Sequence, residues 1–434
     1  MANQLLGITQ GRGSFLGGAD EGAGKTVFLT AVFFVYIFNL ELAGGGGVSL
    51  SSLIVLLVCG LPFYPRREGL SFYVAHGLLI VLLFLIPFLW TAAYAIYYAT
   101  DAIVLTVSAI KTFIWAWIVA LVLFYSSDRQ HSFRQRVIEV VLIPLVAALF
   151  LQSIFVLLSF FIPGFSEWVG SVLVTKGNLT GLEDFRSKGF ANSGGANMAM
   201  VFSFGVVASI TLFHYLRQSR YLLIAFFITL TSALVGRSGV VAGIALLMLY
   251  YTIYGSKVKL TASLGLCVFA GVLFLASDMG LLGLFAPDSA WMKWFFTEAS
   301  ESVTQLSEMI GYELSGADAL FGAGFFEEAT GQYERSDSGF VKSIYALGIP
   351  MAIYFYGIIF YIFSRGLHVE RARSDPFLTF LLILISLMLF AFEMKECMLC
   401  QNMTGRVLFL LANIAFLFKL ECAAPPEACV RGNG

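Results

Sequence analysis

Apolar runs long enough to cross a lipid bilayer follow one another from Thr26 to Leu420. A helix needs about 20 predominantly apolar residues to span a hydrocarbon core of about 30 Å. Within lipid each backbone amide must be satisfied inside its own segment, so runs of this kind become helices. Candidate spans lie at 26–43, 48–63, 72–97, 102–125, 137–163, 195–216, 221–235, 238–254, 260–277, 339–363, 376–392 and 405–420. They predict an all-α polytopic membrane protein of about twelve transmembrane helices. A cytoplasmic segment at 1–25 precedes a single transmembrane domain at 26–420, and a cytoplasmic tail follows at 421–434. Composition agrees, with 59% hydrophobic and 12% charged residues, near half the usual charged share of about 25%. The formal charge of −1 gives no bulk attraction to nucleic acid. No small-residue cleavage pattern follows the first apolar run, which reads as a retained helix and not as a signal peptide.

The connections between spans alternate in charge. One set carries Arg66 and Arg67, then Arg129, Arg134 and Arg136, then Arg217 and Arg220, then Lys257 and Lys259, then Arg365, Arg371 and Arg373. The other set holds "AGGGG", "YYATD" and the longer segments 164–194 and 278–338. Basic loops stay in the cytoplasm. That places both termini inside and the two long loops outside.

Arg237 interrupts the apolar stretch from Tyr221 to Tyr254. As one helix that stretch would run about 50 Å, too long for one crossing, and both its ends carry inside-type charge. A turn near Gly236 and Gly239 resolves this and puts Arg237 at the outer tip. There it is either a snorkelling interfacial arginine or an anion site facing a cavity. Other charges gather on the same side: Lys176, Glu183, Asp184, Arg186 and Lys188 in one loop, and Arg335, Asp337 and Lys342 at the start of the tenth span. The last outer turn adds Glu393, Lys395 and Arg406. Singly each reads as a solvated loop residue. Together, cations beside carboxylates at one membrane face suit an anionic lipid headgroup with an acid/base partner.

Several of these segments resemble one bacterial family. "RSKGFANSGGANMA" resembles the R-x-x-G-F-x-N outer-loop segment of O-antigen polymerase and ligase relatives, and "LVGRSGVVAG" is similar to their "SRSG" hairpin tip. "LFGAGF" followed by "SDSGFVKSIYALGIP" resembles a large loop ending in Asp-x-Gly before a span with a mid-helix Gly. "FEMKE" is similar to the Glu-x-Lys of their last outer turn.

The resemblance implies a Wzy-type polysaccharide polymerase with a GT-C-like helical bundle and a large periplasmic loop, in the bacterial inner membrane. Such an enzyme transfers a glycan chain from undecaprenyl pyrophosphate onto a lipid-linked repeat unit, without a cofactor. A chain-length regulator protein is the implied partner, besides membrane lipid. Stabilising the leaving pyrophosphate needs cations, assigned to Arg186 and Arg237, with Arg335, Lys342 and Lys395 as further candidates. Activating the acceptor hydroxyl needs a carboxylate, assigned to Asp337 or Glu393, with Glu41 in reserve. The related ligases carry a histidine in the large outer loop. Here His76, His131, His214 and His368 all fall on or near the cytoplasmic side by this topology, which disfavours a ligase and leaves no outer histidine zinc site. A lipid-linked oligosaccharide flippase is the rival of a different class, although it needs no long outer loop.

Two features stay open. Lys111 lies within the fourth span, compatible with a cavity wall or with a structural partner. Cys397 and Cys400 form one C-x-x-C, too few ligands for a cysteine-only zinc site; chance pairing is the default reading and a disulfide the other.

Overall fold

A computed structural model describes residues 19–40, 70–125, 135–173, 189–254, 316–325, 338–367 and 387–423, less a few positions within them. These residues are helical, with no β-strand among them. Four described helices are long and apolar enough to cross a membrane: Ser71–Tyr98, Ile103–Leu121, Ile138–Phe161 and Asn197–Leu216. The protein is an all-α membrane protein. The expected spans at 48–63 and 260–277 lie outside the described residues, and so does that at 376–392 except for 387–390.

In chain order the helices are α1 (Ala19–Phe38), α2 (Leu70–Tyr98), α3 (Ile103–Tyr125), α4 (Ile143–Phe161), α5 (Phe165–Val172), α6 (Gly195–Leu216), α7 (Arg220–Ser232) and α8 (Arg237–Tyr254). The short α9 (Ala317–Phe321), then α10 (Gly339–Leu347), α11 (Ile349–Leu367) and α12 (Asn402–Ala423) complete them. A π-turn at Ile138–Leu142 leads into α4. Its cause is local: Pro144 has no N–H to bond Val140, and the Ile143 N–H reaches back to the Ile138 carbonyl.

α3 packs along α12, α6 lies against both α7 and α8, and α1 lies on α4. One end of this bundle, here the upper end, gathers the C-termini of α1, α2, α4 and α7 with the N-termini of α3, α6, α8 and α12. The first turn of α8 illustrates the fit. Gly236 and Gly239 lie against Ala199 in the first turns of α6, where an added Cβ would come within about 3 Å of the alanine. The turn expected near Gly236–Gly239 is therefore present. It is completed by residues 233–235, with Arg237 as the first residue of α8.

The expected single span at 339–363 is instead two helices. Gly348 sits at φ +76°, and any Cβ there would run into the Leu320 carbonyl and the Gly322 amide. Had α10 and α11 formed one helix, Ser343 and Tyr356 would stand about 20 Å apart along its axis. Their hydroxyls are 3.0 Å apart, so α10 folds back along α11. The "LFGAGF" segment clamps the fold from outside. Ala323 and Gly324 amides donate to the Tyr345 carbonyl, and Ala102 donates to the Gly324 carbonyl at 3.0 Å.

The lower end carries its own polar cluster. Arg365 is buried with its guanidinium 4.4 Å from the Phe416 ring centroid and bonded to Asn413. His76 shares a hydrogen bond with the Tyr361 hydroxyl at 2.9 Å, and His214 lies 3.3 Å from the Tyr250 hydroxyl. Arg217 and Arg220 flank the α6–α7 turn at this same end.

Candidate functional site at the upper end of the bundle

Glu393 is 1% exposed. Its Oε1 accepts the Tyr356 hydroxyl at 3.0 Å, and its Oε2 accepts the Leu399 backbone N–H at 3.3 Å. The Ser343 hydroxyl lies 3.0 Å from that of Tyr356 and extends the network into α10. The carboxylate also presses on Gly339, the first residue of α10, where a Cβ would collide with Oε1 and with the Cys397 backbone. Only glycine admits this approach. The Asp-x-Gly run thus has a steric reason for its Gly, and the helix N-terminus there suits an anionic neighbour. Phe340 and Tyr356 rings lie 4.8 Å apart and Phe340 stacks on Phe390, so aromatic rings pack around Tyr356, the carboxylate's donor.

The turn after Glu393 leads to the start of α12. Gly405 there lies close to the Leu399 carbonyl and to Thr112 of α3. Thr404 then bonds α6: its N–H reaches the Asn197 side chain at 3.3 Å and its hydroxyl the Asn197 carbonyl and side-chain oxygens. Asn197 belongs to "FANSGGAN", and Ala199 two residues on carries Gly236 and Gly239. A continuous chain of contacts therefore joins Glu393 to the start of α8. The N-termini of α6, α8 and α12 meet along it, each presenting the positive end of a helix dipole.

The assigned residues fare differently. Glu393 is inside the network. Lys342, one turn into α10, is half-buried and donates its backbone N–H to Ser338 at 3.0 Å. Arg237 is placed by its backbone, between the two glycines that pack on α6. Arg186, Arg335, Asp337, Lys395, Glu41, Glu183 and Asp184 lie outside the described residues. Near Arg186, Gly189 adopts φ +53° against Gln152 and Val156 of α4. Phe190 joins an aromatic cluster with Phe34, Phe155, Phe165 and Trp168. Gly189 and Phe190 thus pack on the outer turns of α4 and on α5.

Arg406 needs a structural account. It is 3% exposed, donates to the Tyr36 carbonyl, and bonds Asn39 Oδ1 at 2.8 Å. Asn39 ends α1 in the left-handed region at φ 49°. The guanidinium therefore holds the C-terminus of α1, where a cation is favoured. Cys397 is disulfide-bonded, while Cys400 lies outside the described residues. Among the described residues no group of histidine, cysteine or acidic side chains could hold a metal. Residue patterns gave no warning of Tyr356, Ser343, Asn197 or Thr404, because each is an ordinary helix residue until its partner is known.

No family model matches the chain, nor does any curated protein or solved structure.

Proposed function

We propose that the chain is a Wzy-type polysaccharide polymerase of the bacterial inner membrane, with the upper end facing the periplasm. The observation that carries this reading is the buried Glu393 carboxylate, linked by contacts to an end of the bundle where three helix N-termini and Arg237 meet. A glycan transfer from a pyrophosphate-linked donor needs both halves of that arrangement. Glu393, or Asp337, takes the proton of the acceptor hydroxyl as its oxygen attacks the anomeric carbon of the donor glycan. The bond from that carbon to pyrophosphate breaks, and the charge left on the pyrophosphate falls to Arg186 and Arg237 and to the helix dipoles. Arg335, Lys342 and Lys395 are the further cations. Donor and acceptor are undecaprenyl-pyrophosphate-linked oligosaccharides, and a chain-length regulator is the expected protein partner.

Two observations support the orientation. Arg217, Arg220 and Arg365 lie at the lower end, as cytoplasmic ends require. Cys397 forms its disulfide at the upper end, as an oxidising compartment allows. Both described histidines near helix ends, His76 and His214, lie at the lower end, which favours the polymerase over the ligase.

The test is Glu393→Gln, which keeps shape and hydrogen-bonding capacity and removes basicity. Polymer formation should fall about 10²–10⁴-fold, with lipid-linked single repeat units accumulating at wild-type protein level. Full-length polymer from both this variant and Asp337→Asn would eliminate these carboxylates as bases. A deletion strain that accumulates no single units would remove the polymerase reading itself.

A further inference from the structure

α3 turns two stripes in different directions. Leu105, Ala109, Thr112, Phe113 and Ala116 are buried, with Thr112 reaching Gly405 of α12. Val104, Val107 and Lys111 are exposed on another stripe. Beside it, Leu85 and Phe88 of α2 with Val107, Ile110, Lys111, Ile114 and Trp115 of α3 enclose an open groove of about 440 Å³. That volume falls within the range of small-molecule sites, roughly 300–1,000 Å³.

The depth of the groove is set by helix rise. At about 1.5 Å per residue from the upper ends of the helices, Val107 lies about 6 Å in, Lys111 about 12 Å and Trp115 about 18 Å. Leu85 lies about 20 Å below Tyr98 on the same scale. The groove therefore opens in the upper leaflet, whose hydrocarbon half is about 15 Å deep, with Val107, Ile110 and Lys111 within it, and its floor at Leu85, Phe88, Ile114 and Trp115 reaches the middle of the bilayer. Among the described residues Lys111 has no hydrogen-bond or ion-pair partner. An ammonium at such depth is costly unless it is compensated. Its flexible stem lets the charge rise towards the headgroups while the methylenes stay on apolar surface.

We propose that this groove holds an anionic glycerophospholipid of the upper leaflet, with one acyl chain along Phe88, Ile114 and Trp115 and the phosphate on Lys111. A bilayer lipid is the occupant that supplies both an apolar chain and a negative charge at this depth. The reacting lipid carrier is disfavoured by direction, since Lys111 lies on the exposed stripe of α3 whereas the Glu393 network lies towards its buried stripe, where Thr112 meets Gly405. This lipid site does not depend on the polymerase reading.

Lipid retention tests it on the purified full chain, reconstituted with equal phosphatidylglycerol and phosphatidylcholine, then extracted and analysed by native mass spectrometry. The wild type should retain phosphatidylglycerol in preference. Lys111→Gln should lower that retention about fivefold, the effect of one cation on an anionic lipid, while Lys111→Arg keeps it. Ile114→Trp fills the groove without touching the charge and should lower retention as well. Equal retention of the two lipids by the wild type would overturn the proposal. So would undiminished phosphatidylglycerol on either Lys111→Gln or Ile114→Trp, or its displacement by undecaprenyl phosphate at equal mole fraction.

Discussion

The Tyr356 hydroxyl donates to Glu393 at 3.0 Å, and the two meet beside α10 because the chain reverses at Gly348. A hydrogen bond to a charged group contributes about 1.5–3 kcal/mol, and here it also fixes where the carboxylate points. Tyr356→Phe keeps the ring contacts with Phe340 and Phe355. Polymer formation should drop roughly tenfold or more with unchanged protein abundance, in keeping with the loss of that one bond. Ser343→Ala, one bond further from Glu393, should have the smaller effect. Wild-type polymer from Tyr356→Phe would show that the hydroxyl does not position the carboxylate.

Two glycines offer a matched pair. Gly339→Ala drives a methyl into the Glu393 carboxylate, whereas an added methyl at Gly357 on α11 meets nothing within 4 Å. Overpacking of this kind costs about 1–3 kcal/mol. The expected outcome is lost polymer and a lower midpoint of thermal unfolding in detergent for Gly339→Ala alone. Equal behaviour of the two variants would contradict the close approach.

Arg406→Met keeps length and apolar bulk while removing the donors that hold Asn39 and the Tyr36 carbonyl. Leaving buried acceptors unsatisfied costs about 1–3 kcal/mol each. The variant should therefore melt earlier and accumulate less in membranes, with polymer per molecule little changed. Normal stability with abolished turnover would instead make Arg406 a substrate residue.

Arg237 is expected to behave in the opposite way. If its guanidinium binds pyrophosphate, Lys is a poor substitute because an ammonium cannot reproduce the planar fork. Arg237→Lys and Arg237→Ala should both shorten the polymer seen on gels at normal membrane abundance. Full-length polymer from Arg237→Ala would sink the anion-site reading, and a loss confined to abundance would leave the arginine as a turn former.

Sidedness can be measured directly. A cysteine placed in 280–335 should react with an impermeant thiol reagent from outside intact spheroplasts, and one at 130–134 should not. Labelling of both from one side would overturn the assignment of the upper end to the periplasm.

The helices were legible because their apolar runs are long and their ends are charged. The expected 195–216 span matches α6 in both bounds, and 102–125 matches α3 to within a residue. The Tyr221–Tyr254 hairpin was legible from length alone, since one helix could not fit the bilayer. The reversal at Gly348 was not. A glycine in an apolar run is equally compatible with a continuous helix, and the choice is made by the Leu320 carbonyl and the Gly322 amide that occupy the space of its missing Cβ. At the site, Glu393 was legible as a charge in an outer turn. Tyr356 was not, because a tyrosine on an apolar helix signals nothing until a carboxylate 37 residues away arrives beside it. Arg406 was misleading for a similar reason: its charge announced an outer cation, and its burial against Asn39 came from packing that no spacing encodes.

The reversal at Gly348 also bears on biogenesis. α10 has nine residues, about 14 Å of helix and less than half the hydrocarbon thickness. The insertion machinery has no spanning segment there to recognise, whereas α11, with 19 residues, covers about 28 Å on its own. α10 reaches Tyr356 and Glu393 by folding back along α11 and not by crossing the bilayer. The carboxylate network also waits for Glu393 itself, which lies downstream of α11 in the chain. A nascent chain halted after α11 would be integrated in the membrane without the carboxylate network.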